Sequence, residues 1–263
     1  MRDALVICYH GVSEDWPSDL AIQPRQLEAQ ISWYLNRGYR PVTFTEAVAG
    51  HAAERVIAVT FDDGYRSVLQ LALPLLARMG VRGTVFAPTA LVGEGEAHGW
   101  DGTRSWASTR WAGEIQVMGW DELDQLVAGG WEIGSHTRTH PRLTQLGDDQ
   151  LFEELRRSRE EIEENLGRPC TSIAYPYGAS DSRVARAAAR AGYSAAGGLL
   201  PDRLHARDPL LFPRVFAGRY LPDSTLHRRA GPAFRRLQGS VAWPWVVRAV
   251  AVKQSSRRLL GKR

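Results

Sequence analysis

Only two cysteines occur in the 263 residues, Cys8 and Cys170, far apart and each in or near an apolar stretch. That excludes a disulfide framework and a cysteine-based metal motif, and predicts two buried thiols. Long charge-free hydrophobic runs are missing too; the best candidate, "VAWPWVVRAVAV", is short and broken by Pro244 and Arg248, so no bilayer span is expected. No small-residue cleavage site follows the brief apolar stretch of "MRDALVICYHG", which reads as a first strand, not a signal peptide. No glycine-rich phosphate loop follows that strand, which counts against nucleotide binding. Acidic residues are absent after Asp223, where Arg228, Arg229, Arg235, Arg236, Arg248, Lys253, Arg257, Arg258, Lys262 and Arg263 accumulate. This imbalance reads equally as a solvated tail or as a peripheral contact with anionic lipid, with Trp243, Trp245 and nearby valines as the apolar part. No recognised nucleic-acid motif is present. The expected location is cytoplasmic, with a peripheral position at the inner face of a membrane as the option that the basic tail leaves open.

What is present is a hydrophobic content of 44%, charged residues at 24% and a net charge of +4, enough for one sizeable core. Strand-like runs alternate with helix-like segments. "ALVICY", "VIAVTFDD", "GTVFAPT", "WEIGSH", "SIAYPYG", "SAAGG" and "FPRVFA" are the strand candidates. Helical spacing marks "QLEAQISWYLNRG", "YRSVLQLALPLLARMG" (with Pro74 a kink), "GWDELDQLVAGG", "GDDQLFEELRRSREEIEENLG" and "DSRVARAAARAGY". Such alternation predicts an α/β fold of mostly parallel strands with outer helices. A (β/α) barrel fits the count better than an open doubly wound sheet. The expected division is a catalytic domain over residues 1–222 and a basic extension over 223–263. One irregular stretch, "LVGEGEAHGWDGTRSWASTRWAGE", interrupts the rhythm; long loops of this kind are often functional.

Polar residues gather at strand ends. Asp62 and Asp63 follow "VIAVTF", His136 and His140 follow "WEIGS", and Tyr175, Pro176 and Tyr177 follow "SIA". In parallel barrels these ends form one face, where sites are built. The histidines of "SHTRTH" are four apart, in a stretch that Gly134 and Pro141 mark as a loop. Two imidazoles and one carboxylate make an open, catalytic type of divalent-metal site, suited to zinc and other first-row ions. One aspartate then ligates the ion while the other stays ionised and takes a proton from water. Gly64 permits a sharp turn there.

"TFDDGY", "SHTRTH" and "YPYG", in this order and strand context, resemble the polysaccharide deacetylases of carbohydrate esterase family 4, the chitooligosaccharide deacetylase homology domain. The resemblance runs over about the first 220 residues, from "YHGV" to "FPRV". It implies a distorted (β/α) barrel and metal-dependent removal of N-acetyl groups from an amino-sugar glycan or a glycan-assembly intermediate. It implies Asp62 as base, Asp63, His136 and His140 as metal ligands, and the Tyr177 N–H as an oxyanion donor. The implied cofactor is one divalent ion, zinc ahead of cobalt, nickel, iron or manganese. The family's usual third-motif arginine, which orients the base, is missing from "SIAYPYG"; Arg214 in "FPRVF" is the candidate replacement. Leu-His pairs that would supply the family's general acid occur at His205 and His227, both poor matches, and His10 reads equally as structural or catalytic. Tyr65, Tyr175, Pro176, Trp106 and Trp111 are candidate substrate contacts, with Trp100, Trp106 and Trp111 able to stack on sugar rings or to close the barrel mouth. Two other readings stay open: a cyclic imide or ureide amidohydrolase of the same fold, and a catalytically weak carbohydrate-binding homologue.

Overall fold

In the computed structural model, residues 3–50, 55–94, 100–199 and 208–238 are described. The strands are β1 (Asp3–Tyr9), β2 (Gly11–Val12), β3 (Ala21–Ile22), β4 (Arg40–Val42), β5 (Arg55–Phe61), β6 (Gly83–Ala87), β7 (Glu132–Ser135), β8 (Ser172–Ala174), β9 (Ala195–Gly198), β10 (Phe212–Pro213) and β11 (Val215–Phe216). The helices are α1 (Pro24–Leu35), α2 (Phe44–Ala49), α3 (Leu73–Arg78), α4 (Trp120–Ala128), α5 (Asp148–Leu166), α6 (Ser182–Arg190), α7 (Asp223–Ala230) and α8 (Pro232–Gln238). The main sheet runs β10-β9-β8-β7-β6-β5-β1-β11, with β4 paired to β5 beside this path. Its strand pairs are parallel. β10 and β11 flank Arg214, one pairing with β9 and the other with β1. One short stretch of chain thus joins the two edges and nearly closes a barrel, as the sequence pattern predicted.

Alternation along the strands sorts side chains into two cores. Leu5, Ile7, Ile57, Val59 and Phe61 face the outer helices. Val6, Val56, Ala58, Phe86, Ala174 and Ala195 face inward and join Phe44 and Ala47 of α2 in a separate cluster. α2 therefore plugs the N-terminal end of the barrel: the Phe44 N–H donates to Thr84 Oγ1 (2.9 Å), and its ring meets Phe86 edge-on at 5.2 Å. The inner wall is lined with small residues for a reason. A Cβ on Gly134 would lie 2.6 Å from the Phe86 ring, and one on Gly197 would lie 2.6 Å from Arg214 Nε. Those glycines leave the space that Phe86 and Arg214 fill.

The expected helix around Pro74 is interrupted earlier, by a π-helical turn at Val68–Ala72. Proline lacks an N–H, and its ring crowds the carbonyl four residues before it, so the preceding turn widens. The segment beyond residue 222 begins against the barrel. Gln30 donates to Asp223 (2.7 Å), His227 stacks on Trp33 at 3.8 Å, and Arg235 donates to the Ala4 carbonyl (2.6 Å) and pairs with Asp3. His205 and the tryptophan-containing stretch after residue 238 lie outside the described residues. Among the described residues no helix is long and apolar enough to cross a membrane.

Candidate active site

The strand ladder carries β5 one residue past Phe61, where the Asp62 N–H donates to the Tyr9 carbonyl (3.0 Å). The chain then turns abruptly: Asp63 has φ 69° and Gly64 φ 63°. Neighbouring side chains on a continuing strand would point to opposite faces. Two successive left-handed residues instead bring both carboxylates into one cleft.

Asp62 points back into the barrel. Arg214 donates to both of its oxygens, Nη1 to Oδ1 at 2.6 Å and Nη2 to Oδ2 at 2.7 Å, and the Cys8 thiol donates to Oδ2 at 3.3 Å. The carboxylate and the guanidinium are both about 1% exposed. Burial alone would raise the Asp62 pKa; the Arg214 and His136 charges outweigh it and hold it at about 2. Burial pushes the Cys8 thiol well above its ordinary value, so it stays protonated.

Asp63 faces the two histidines. Its Oδ1 lies 3.5 Å from His136 Nε2 and 3.4 Å from His140 Nε2. The "SHTRTH" segment is the loop that its glycine and proline indicated, shaped by left-handed Thr137 (φ 65°) and His140 (φ 61°). Ser135 Oγ accepts from the Thr137 N–H (2.9 Å), and Thr137 Oγ1 from the His140 N–H (3.1 Å). The His136 Nδ1–H donates to the Ala174 carbonyl (2.8 Å), a contact that fixes the ring with Nε2 toward Asp63; the Asp62 and Asp63 charges outweigh burial and raise the His136 pKa. Burial opposes the charge on Asp63, yet the contacts from His136 and His140 hold its pKa well below the carboxylate range. Burial lowers the His140 pKa, favouring the neutral, ligating form.

Asp63, His136 and His140 offer three donor atoms within 4.8 Å of one another. Asp63 Oδ1 is buried and accepts no hydrogen bond among the described residues. One carboxylate and two imidazoles converging on an orphaned oxygen fit a divalent cation. Cys8, His10 and Asp62 also lie this close, but a protonated thiol and an Asp62 already held at both oxygens by Arg214 leave no seat for one.

A cleft of about 650 Å³ opens over the site, lined by His10, Asp62, Trp100, Trp106, Arg142 and Tyr177 among others. Tyr177 is left-handed (φ 59°), and its ring packs against His140 at 4.8 Å. Several expected substrate contacts are placed elsewhere. Tyr65 is fully buried, parallel to Trp100 at 6.1 Å. Tyr175 is buried with its hydroxyl donating to the Leu210 carbonyl (2.9 Å), and Pro176 is buried beside it. These three support the wall from behind, because their strand-end positions turn the rings into the core. Trp111 lines a second cavity of about 400 Å³ with Arg66, Glu114 and Gln116, separate from the cleft that Trp106 lines. His227 is spent on Trp33 and Tyr34.

His10, which the sequence leaves equally structural or catalytic, stands at the cleft wall. It follows β1, is 7% exposed, and its Nδ1 has no partner among the described residues. Its place at the C-terminal end of a strand, the position that also carries Asp62 and His136, was readable from the sequence.

A (β/α) barrel carrying an aspartate pair and two histidines at its C-terminal strand ends is the class that fold and site define. The sequence pattern named polysaccharide deacetylase matches residues 49–196, more than half of the chain, and the chain belongs to that family. A Bacillus subtilis (strain 168) protein named for the family, YxkH, is 25% identical over 193 residues, covering 72% of this chain and 61% of its own length. The poly-β-1,6-N-acetyl-D-glucosamine N-deacetylase of Staphylococcus aureus (strain MSSA476) is 23% identical over 171 residues, 60% of this chain and 54% of that protein. The chain thus spans a little over half the length of these curated relatives. Among solved structures, the deacetylase PplD of Streptococcus pyogenes, in complex with acetate, superposes with a TM-score of 0.72 at 20% identity, covering 87% of this chain and 98% of that one. IcaB from Ammonifex degensii gives 0.66 at 24% identity, covering 89% and 98%. At such identities the superpositions speak for the fold.

Proposed function

We propose that the protein is a metal-dependent N-deacetylase that releases acetate from N-acetylated amino sugars of a glycan. The observation that carries this is the division of the adjacent aspartates: Asp62 is locked to Arg214 inside the barrel, and Asp63 faces two imidazoles. A divalent ion, zinc foremost, held by Asp63, His136 and His140 would supply Lewis acidity toward the amide carbonyl and the attacking water. Asp62, kept ionised and aimed by Arg214 and Cys8, takes the proton from that water. The Tyr177 N–H donates to the carbonyl oxygen as negative charge develops. His10, buried at the cleft wall with an unpartnered Nδ1 and a ring nitrogen within 4.8 Å of the Asp62 carboxylate, relays to the departing amine the proton that Asp62 takes from the water, since burial lowers its own pKa. Trp106 offers its ring to a sugar face. The name of the staphylococcal relative makes β-1,6-linked N-acetylglucosamine oligomers the first substrate to try.

The test is acetate release from N-acetylglucosamine oligomers, with zinc and after chelation, alongside hydantoin-like cyclic amides. Metal-dependent acetate release that vanishes in Asp62→Asn supports the reading. Ring opening of the cyclic amides without acetate would transfer the same machinery to imides. Glycan binding with equal, slow acetate release from wild type and Asp62→Asn would make the protein a binding homologue. The basic segment after Asp223 supports a second element, attachment to anionic membranes. Flotation with phosphatidylserine vesicles checks it, and equal flotation with and without residues 239–263 would remove it.

A further inference from the structure

The two histidines facing Asp63 are secured in different ways. His136 has the usual outer contact, its Nδ1–H on the Ala174 carbonyl at 2.8 Å. His140 Nδ1 is buried and has no hydrogen-bond partner among the described residues. Metal-binding histidines normally use that nitrogen to fix ring orientation, and losing the contact costs roughly 10–100-fold in metal affinity. What touches the His140 ring instead is aromatic. Trp100 lies against it with centroids 4.4 Å apart at 31°, and Tyr177 meets it edge-on at 4.8 Å. Trp100 is itself clamped, only 9% exposed. Tyr65 lies parallel to it. The Trp100 N–H donates to Thr103 Oγ1 at 3.2 Å, and the Trp100 carbonyl accepts from the Thr103 and Arg104 N–H groups at 3.0 Å. That turn leads directly to Trp106, which lines the cleft.

We infer that Trp100 is a positioning residue for His140: its ring takes the place of the missing hydrogen bond, and so ties the tryptophan loop to the strength of metal binding. Because Trp100 and the cleft-lining residues share one turn, a glycan that settles the loop also settles His140. Thermodynamic linkage then makes glycan and metal each tighten the other's binding. The inference rests on Asp63, His136 and His140 being the metal ligands.

The experiment measures Zn²⁺ affinity of the full chain by competition with a chromophoric chelator, which needs no turnover. Trp100→Ala should weaken zinc about tenfold or more, Trp100→Phe should recover most of that, and Trp111→Ala, at the separate cavity, should bind zinc as wild type does. In an Asp62→Asn background, where glycan turnover is slowed, an N-acetylglucosamine oligomer should tighten zinc binding, and adding Trp100→Ala should cut the gain to the part that direct contact between glycan and ion supplies. Zinc affinity in Trp100→Ala within about twofold of wild type overturns the inference. So does a loss in Trp100→Phe as large as in Trp100→Ala, or no glycan effect in Asp62→Asn. Should Trp100→Ala fail to fold by circular dichroism, Trp100→Leu against Trp100→Phe carries the same comparison. Wild-type protein that takes up no zinc would instead overturn the ligand assignment itself.

Discussion

The site has two halves built on different physics. Beneath it, the barrel interior holds Asp62 through an arginine, a thiol and a wall of glycine and alanine. Above it, the rim holds Asp63, His136 and His140 on loops whose non-glycine residues adopt left-handed backbone at Asp63, Thr137, His140 and Tyr177. Such conformations cost energy and cluster where surrounding contacts over-determine them. The lower half positions by packing, the upper half by strained turns. One aspartate pair is shared between them because the chain reverses at Asp63 and Gly64.

This contrast yields graded tests. Asp62→Asn has the largest effect, an acetate-release rate down about 10²–10⁴-fold, read by single-turnover kinetics. Next is Arg214→Met. It leaves a buried carboxylate unpaired, so stability drops by about 3–5 kcal/mol in urea titrations. Its pH signature follows from the sign of the shift. In the wild type the Asp62 pKa is about 2, below its unfolded value of roughly 3.9. Its contribution is therefore full above about pH 4 and is lost as pH falls toward 2. Without Arg214, burial dominates and raises the folded value. The residue then costs stability as pH rises through 4, and the acid limb of kcat/KM moves upward. Gly197→Ala is milder. A Cβ there lies 2.6 Å from Arg214 Nε, so the guanidinium is displaced at about 1–3 kcal/mol, and kcat falls while KM holds. Smallest is Trp106→Ala, which removes a stacking surface and raises KM about threefold to tenfold without altering the pH profile.

The rim was legible because its chemistry sits in contiguous motifs, "TFDDGY" and "SHTRTH", whose strand-end context could be read from β-branched runs. The interior was legible at a single point: an arginine missing from "YPYG" directed attention to Arg214, and Arg214 does meet Asp62 across 152 residues of sequence. The room made by Gly197 and Gly134 left no signal, since a glycine in a strand pattern has many causes. Tyr65 and Tyr175 were misplaced because one residue of register decides whether a strand-end ring faces the cleft or the core. β4 and α2, three and six residues long, fall below the length at which periodicity speaks. The left-handed turn at Asp63 overrides the propensity of aspartate, and only the assembled site explains it.

The division of labour between adjacent carboxylates is tested most directly by zinc stoichiometry and acetate release in Asp62→Asn beside Asp63→Asn. The expected result is that Asp62→Asn retains one zinc per chain at near wild-type affinity yet releases acetate at least about 10²-fold more slowly, while Asp63→Asn loses the metal. Loss of zinc in Asp62→Asn, or an Asp63→Asn protein that keeps both metal and activity, would contradict it.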